Sequence, residues 1–213
     1  MCVLIYDNML SFVRDICDFL YNWYYLDRSI EFEEACENGD IKIVEYLFRF
    51  VDPSNQHNWP IRIASQNGHV EIVRLLLEDP RVDPSEFDNR ALQNACSYHH
   101  LKVVKLLLTD PRVNPSASHN MALACAAGCI KIMEFLLEDP RVVSSSLSSA
   151  LRLAIVNGYI DAVNLLLEYP LTVRDINMAI EYAKYYDKTE ILESLTEHLY
   201  RLDGPIYNEG ILC

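Results

Sequence analysis

The sequence predicts an all-α solenoid of five to six stacked helix-turn-helix units, each about 30 residues long, with a helical cap at the N-terminus. Three observations predict it. The string LLLEDPRVDPS, Leu75 to Ser85, returns as LLLTDPRVNPS at Leu106 to Ser116 and, fading, as FLLEDPRVVSS at Phe135 to Ser145. Apolar clusters recur with Ile41, Val70, Leu101, Ile130, Ile160 and Thr189 in the same slot, at intervals of 29, 31, 29, 30 and 29 residues. Pro80, Pro111, Pro140 and Pro170 keep the same beat, 31, 29 and 30 apart.

Met1 to Ile30 falls outside the period. Leu10, Val13, Cys17 and Leu20 lie at helical spacing there, as a cap over the first unit requires. Within each unit a first helix is led by Phe32, Ile61, Leu92, Leu123, Leu151 or Ile180. The offset from these leads to the second-helix slot is nine residues in every unit but the fourth, where Leu123 to Ile130 spans seven. That unit is expected to have a shortened or irregular first helix near Cys125 to Gly128. Small residues Ala35, Ala64, Ala95, Ala154 and Ala183 allow the paired helices to approach closely.

A tight turn follows each first helix, and Gly39, Gly68, Gly128 and Gly158 are expected there in the left-handed conformation that ends a helix. In the second helix, Val70, Ile72, Val73, Leu75, Leu76 and Leu77 cover more than one stripe, so it must be packed from several sides. Leu76 and Leu107 are therefore expected in the core. Asp79-Pro80 stops this helix, because proline disfavours helix in the residue before it. The units are read as 31–54, 55–85, 86–116, 117–145, 146–175 and 176–199, with 200–213 as a tail. One unit alone does not offset backbone ordering of about 1–2 kcal/mol per residue, whereas stacked neighbours do.

Composition narrows the function. A net charge of −13 argues against nucleic acid and against an anionic membrane surface as partners. Glu31 to Glu45 holds six acids against Lys42 alone, which points to a protein partner with a basic surface. No apolar run reaches the roughly 18 residues of a membrane span. Seven scattered cysteines without CxxC pairs read as reduced, mostly buried thiols in an intracellular, cytoplasmic protein.

Chemistry-bearing motifs are missing from the sequence: no P-loop, GxGxxG, HExxH or GxSxG occurs. Cys125 and Cys129 straddle the Gly128 turn and have no Cys or His near them in sequence, so buried structural thiols are expected rather than a metal pair. His99 and His100 occupy the place of Gly68 and His69, and turn histidines satisfied by backbone groups are expected. No catalysis, cofactor or metal is expected.

NGHVEIVRLLL, Asn67 to Leu77, resembles the second half of an ankyrin repeat. The DPRVDPS spacer with a following DN-x-A-L, Asp88 to Leu92, resembles the divergent ankyrin arrays of giant DNA viruses and amoebae; in the viral case the cytoplasm is the host cell's. The resemblance covers Glu31 to Leu199 and implies a right-handed, ankyrin-like solenoid. Two departures stand out. The family's T-P-L-H becomes Trp-Pro-Ile-Arg (Trp59 to Arg62) or Arg-Ala-Leu-Gln (Arg90 to Gln93), and the short period implies loops in place of full β-hairpins.

The resemblance implies a monomeric scaffold that binds a protein on its concave face of loops and first helices. Just before each first helix the frame repeats while one aligned slot varies, as Trp59, Arg90, Met121 and Ser149. Trp59, Arg90 and Met121, with Phe87 and His119 in the adjoining loops, are the candidate partner-binding residues, since Trp and Arg are frequent interface hot spots. An alternative role is a substrate adaptor for a ubiquitin ligase, with residues 1–30 docking as an F-box does in some relatives. The Leu-Pro opening of an F-box is absent.

Overall fold

The computed structural model describes residues 28–142 and 147–203. The expected N-terminal cap and the end of the tail therefore lie outside the described residues, save for 28–30 and 200–203.

The described chain is all helical. Helix α1 covers 28–38 and is followed by α2 (Ile41–Leu47), α3 (Asn55–Asn67), α4 (Val70–Leu77), α5 (Glu86–Ser97) and α6 (Leu101–Leu107). Then come α7 (Ala117–Cys125), a 3₁₀ turn (Ala126–Gly128), α8 (Ile130–Leu137), α9 (Ser148–Asn157), α10 (Ile160–Leu167), α11 (Val173–Tyr185) and α12 (Thr189–Asp203). They form six helix pairs in two layers. First helices α3, α5, α7, α9 and α11 pack side by side, and α2, α4, α6, α8, α10 and α12 form the second layer. The last helix runs four residues past the expected end of the array at Leu199.

The core repeats as the sequence does. Ile72, Val73 and Leu76 return as Val103, Val104 and Leu107, as Ile132, Met133 and Leu136, and as Ala162, Val163 and Leu166, all completely buried. From the first layer Ile61, Leu92, Leu123 and Leu151 meet them, with the expected alanines Ala64, Ala95 and Ala154 between the helices. Burial of a Leu or Ile side chain contributes about 1.5–3 kcal/mol, so the repeated core accounts for the stack.

The eleven-residue string now has a physical account. Asp79 accepts the Arg81 main-chain N–H at 2.9 Å and holds the guanidinium through Nε at 3.0 Å and Nη2 at 2.7 Å. Asp110 with Arg112 and Asp139 with Arg141 build the same fork, and hydrogen bonds from arginine hold all three carboxyls below the usual aspartate range. Val82 and Val113 plug the core behind each fork. Arg112 Nη1 donates back to the Val82 carbonyl at 2.7 Å and Arg141 Nη1 to that of Val113 at 3.0 Å, tying successive loops together. The second half, Asp-Pro-Ser or Asn-Pro-Ser, closes a turn: Asp83 accepts from Ser85 N and Oγ, and Asn114 from Ser116 N and Oγ. The first two spacers are each one fork, one plug and one turn.

One turn expectation needs correction. Gly39, Gly68 and Gly158 take φ of +84°, +78° and +78°, but Gly128 does not enter the left-handed region. It ends the 3₁₀ turn that follows α7, and this turn absorbs the two missing residues of the fourth unit. The glycines are also small for a second reason. A Cβ on Gly68 would lie 2.5 Å from His100 Nδ1, because His100 packs on this turn as His69 packs on the turn at Gly39. His100 Nε2 donates to the Gln66 carbonyl at 2.9 Å and His69 Nε2 to that of Glu37 at 2.9 Å, so these two turn histidines are satisfied by backbone.

Candidate functional site

Helices α3, α5 and α7 are entered through three consecutive left-handed residues, none of them glycine. These are Gln56-His57-Asn58, Phe87-Asp88-Asn89 and Ser118-His119-Asn120, with φ between +49° and +64°. The left-handed region costs an ordinary residue about 1–2 kcal/mol, less for Asn and Asp. The third residue offsets that cost. Asn58 and Asn89 are buried, and their Oδ1 atoms accept the main-chain N–H of Asp83 at 2.8 Å and of Asn114 at 2.9 Å, in the spacer that closes each one's own unit. The equivalent residue after Asn120 would be Ser145, outside the described residues.

The buried asparagine orients its two predecessors. Gln56, His57, Phe87, Asp88 and His119 are exposed on the loop side of the first-helix layer. Right-handed helix begins at the next residue, which is Trp59, Arg90 or Met121. The three thus hold one slot in adjacent, directly packed helices.

Units two and three build the densest constellation on this face. Arg62 is clamped by hydrogen bonds from Nε to the His57 carbonyl and from Nη2 to the Gln56 carbonyl, both 3.1 Å. Its guanidinium carbon lies 5.3 Å from the Trp59 ring centre and 5.1 Å from that of Phe87, so one cation joins aromatic side chains of two units. The His57 ring stands edge-on to Phe87 at 5.5 Å, and its Nδ1 meets Glu86 Oε1 at 2.9 Å. Asn58 Nδ2 donates to the other Glu86 oxygen, and Gln56 Nε2 donates to both oxygens of Glu33, at 2.8 and 2.9 Å. Desolvation lowers the Arg62 pKa; nearby Glu86 opposes that shift and Arg90 adds to it.

Of the candidate residues, Trp59 and Phe87 are brought together by Arg62, and Arg90 is close enough to repel it. Phe87 is 51% exposed, and Trp59 and Met121 are half-buried with their inner edges on the core. Among the described residues the Arg90 side chain makes no hydrogen bond and no ion pair. Met121 and His119 lie one unit further along, apart from the Arg62 constellation.

Sequence reading missed Arg62, His57 and Glu86. The first was legible, three residues after Trp59 and so on the same helix face. The others depend on left-handed turns that have no glycine to announce them.

The cysteines divide differently from expectation. Cys36 and Cys96 are buried, but Cys125 and Cys129 are only partly so, because they flank the irregular 3₁₀ turn instead of lying inside a regular helix. Burial pushes the Cys36 thiol up to about 12, with Glu33 adding to it. Burial raises Cys96 as well, with its neighbours Cys125 and Cys129 contributing. Among the described residues no group of three or more His, Cys, Asp or Glu is placed to hold a metal ion, and no helix is long and apolar enough to cross a membrane.

Residues 32–119 match the family of ankyrin repeats, in three copies. No curated relative matches the chain. The matched stretch covers the first three units, and the helix pairs continue the same architecture to Asp203. Likeness to viral and amoebal arrays rests on the spacer residues alone.

Proposed function

We propose that the chain is a non-catalytic recognition module that binds a protein partner on the concave side formed by its loops and first helices. Ankyrin repeats are generally protein-protein interaction modules, and three copies cover residues 32–119. One observation carries the choice of face: the Trp59–Arg62–Phe87 stack, two aromatic rings sharing one clamped cation at the junction of two rigid units. Aromatic and arginine anchors held in place before binding lose little entropy on association.

Charge shapes the approach. Glu31, Glu34, Glu37, Asp40 and Glu45 are exposed on the first pair of helices, beside this face. A partner whose surface is basic opposite that pair is steered in, and capture slows as salt rises.

The test is affinity purification with the full chain, then the same capture with Trp59→Ala and Arg90→Ala combined. Capture of the identified partner should fall by at least tenfold while the melting midpoint stays nearly unchanged. Full retention by the double variant would move the site elsewhere.

A further inference from the structure

The aligned slot before each lead residue extends beyond the three candidates. In chain order it holds Ile30, Trp59, Arg90, Met121, Ser149 and Met178. Ile30 is 47% and Met178 45% exposed, while Trp59 and Met121 present one edge. Ser149 and Met178 both line a groove between α9 and α11, so the face continues as a furrow past the fourth unit. Apolar positions thus sit on either side of a single cation.

Arg90 is exposed, and among the described residues it forms no ion pair. Glu33 is engaged by Gln56, and Glu86 by both His57 and Asn58. Asp88, two residues before Arg90, forms no ion pair with it, and the Arg62 cation repels it. In a chain of net charge −13, an exposed guanidinium between two apolar neighbours calls for a carboxylate from outside.

The spacing fixes where that carboxylate belongs. Directly packed helices lie about 8–10 Å apart, and an extended chain advances about 3.3 Å per residue. One unit of the array therefore corresponds to about three residues of an extended ligand. We infer that the face reads an extended peptide segment carrying an aspartate or glutamate opposite Arg90, with apolar residues three positions before and after it over Trp59 and Met121. The pattern is symmetric, so it holds for either chain direction. This inference rests on the recognition role proposed above and gives it a ligand class.

Selection of a randomised twelve-residue peptide library displayed on phage, against the full chain, tests it. The expected consensus is an acidic residue flanked at both third positions by Leu, Ile, Met or Phe. Arg90→Glu should turn the central preference to Lys or Arg and leave the flanks alone. Arg90→Lys, the conservative variant, should keep the acidic preference. With a synthetic peptide of the selected sequence, replacing the central Glu by Gln should weaken binding at least tenfold by fluorescence anisotropy. A lysine-centred consensus for the native chain overturns the inference, as does a consensus untouched by Arg90→Glu. So does an empty selection; if Trp59→Ala with Arg90→Ala still abolishes capture of an identified folded partner, the recognition face survives and only its extended ligand falls.

Discussion

The Asn89 side-chain oxygen accepts the main-chain N–H of Asn114 at 2.9 Å, and Asn58 serves Asp83 in the same way at 2.8 Å, each reaching 25 residues along the chain. One amide thus does two things. It occupies a left-handed position that Asn tolerates better than most residues, and it satisfies the loop that closes its own unit.

Asn89→Ala removes both contributions and should destabilise the array by about 2–4 kcal/mol. Asn89→Gly keeps the left-handed freedom and loses only the hydrogen bond, so it should cost less, about 1–2 kcal/mol. Urea melts of the two variants check this. Equal losses would mean that the backbone conformation contributes nothing.

Gly68→Ala probes the contact between units. Its Cβ would meet His100 Nδ1 at 2.5 Å, and the backbone there has φ of +78°. The substitution should be clearly destabilising in the native chain. In a His100→Ala background the clash is gone and only the left-handed penalty remains, about 1–2 kcal/mol. A double-mutant cycle reads the difference, and identical penalties in both backgrounds would remove the histidine from the account.

The repeat, the helix pairs and the core were legible in the sequence because they depend on period. Leu76 and Leu107 recur at a fixed interval, and both are fully buried. The site was legible only in part. Trp59, Arg90 and Met121 could be aligned by counting, since a regular stack turns equal spacing into a row. Arg62 looked like a departure from T-P-L-H, and its partners His57 and Phe87 lie in left-handed turns built from ordinary residues. Such turns are stabilised from a loop 25 residues further on, by hydrogen bonds that no local window of sequence contains. Gly128 failed for the opposite reason: a local glycine signal was overridden when the shortened fourth unit closed through a 3₁₀ turn.

The Asp79, Asp110 and Asp139 forks make stability acid-sensitive. Their carboxyls are held below the ordinary aspartate value, chiefly by the arginine hydrogen bonds. A depressed folded-state pKa gives stability that is fully present above the unfolded value, about 3.9, and lost as pH falls through the folded value. The melting midpoint should therefore hold near neutral pH and drop steeply below about pH 4. Replacing all three by Asn should lower the midpoint at pH 7 and flatten that acid limb. Each arginine is well exposed, so each fork contributes no more than about 1 kcal/mol. An unchanged acid limb in the triple variant would place the titrating groups elsewhere.

Arg62 should be the residue that holds the recognition face rigid before any partner arrives. It is hydrogen-bonded to the Gln56 and His57 carbonyls and packed against the rings of Trp59 and Phe87, so one side chain links the left-handed turn of its own unit to that of the next. A cation over an aromatic face contributes about 0.5–2 kcal/mol, more as water is excluded. Trp59 reports on this directly. The chain has two tryptophans, so Trp23→Phe leaves Trp59 as the only one. In that background Arg62→Ala should raise acrylamide quenching of Trp59 and weaken partner capture several-fold. Arg62→Lys, which keeps the charge but not the planar fork, should fall between. The melting midpoint should move little in either variant, because the repeated core beneath is untouched. Quenching that stays at the native level in Arg62→Ala would show that the core alone holds the Trp59 ring, and would leave the arginine no part in preparing the face.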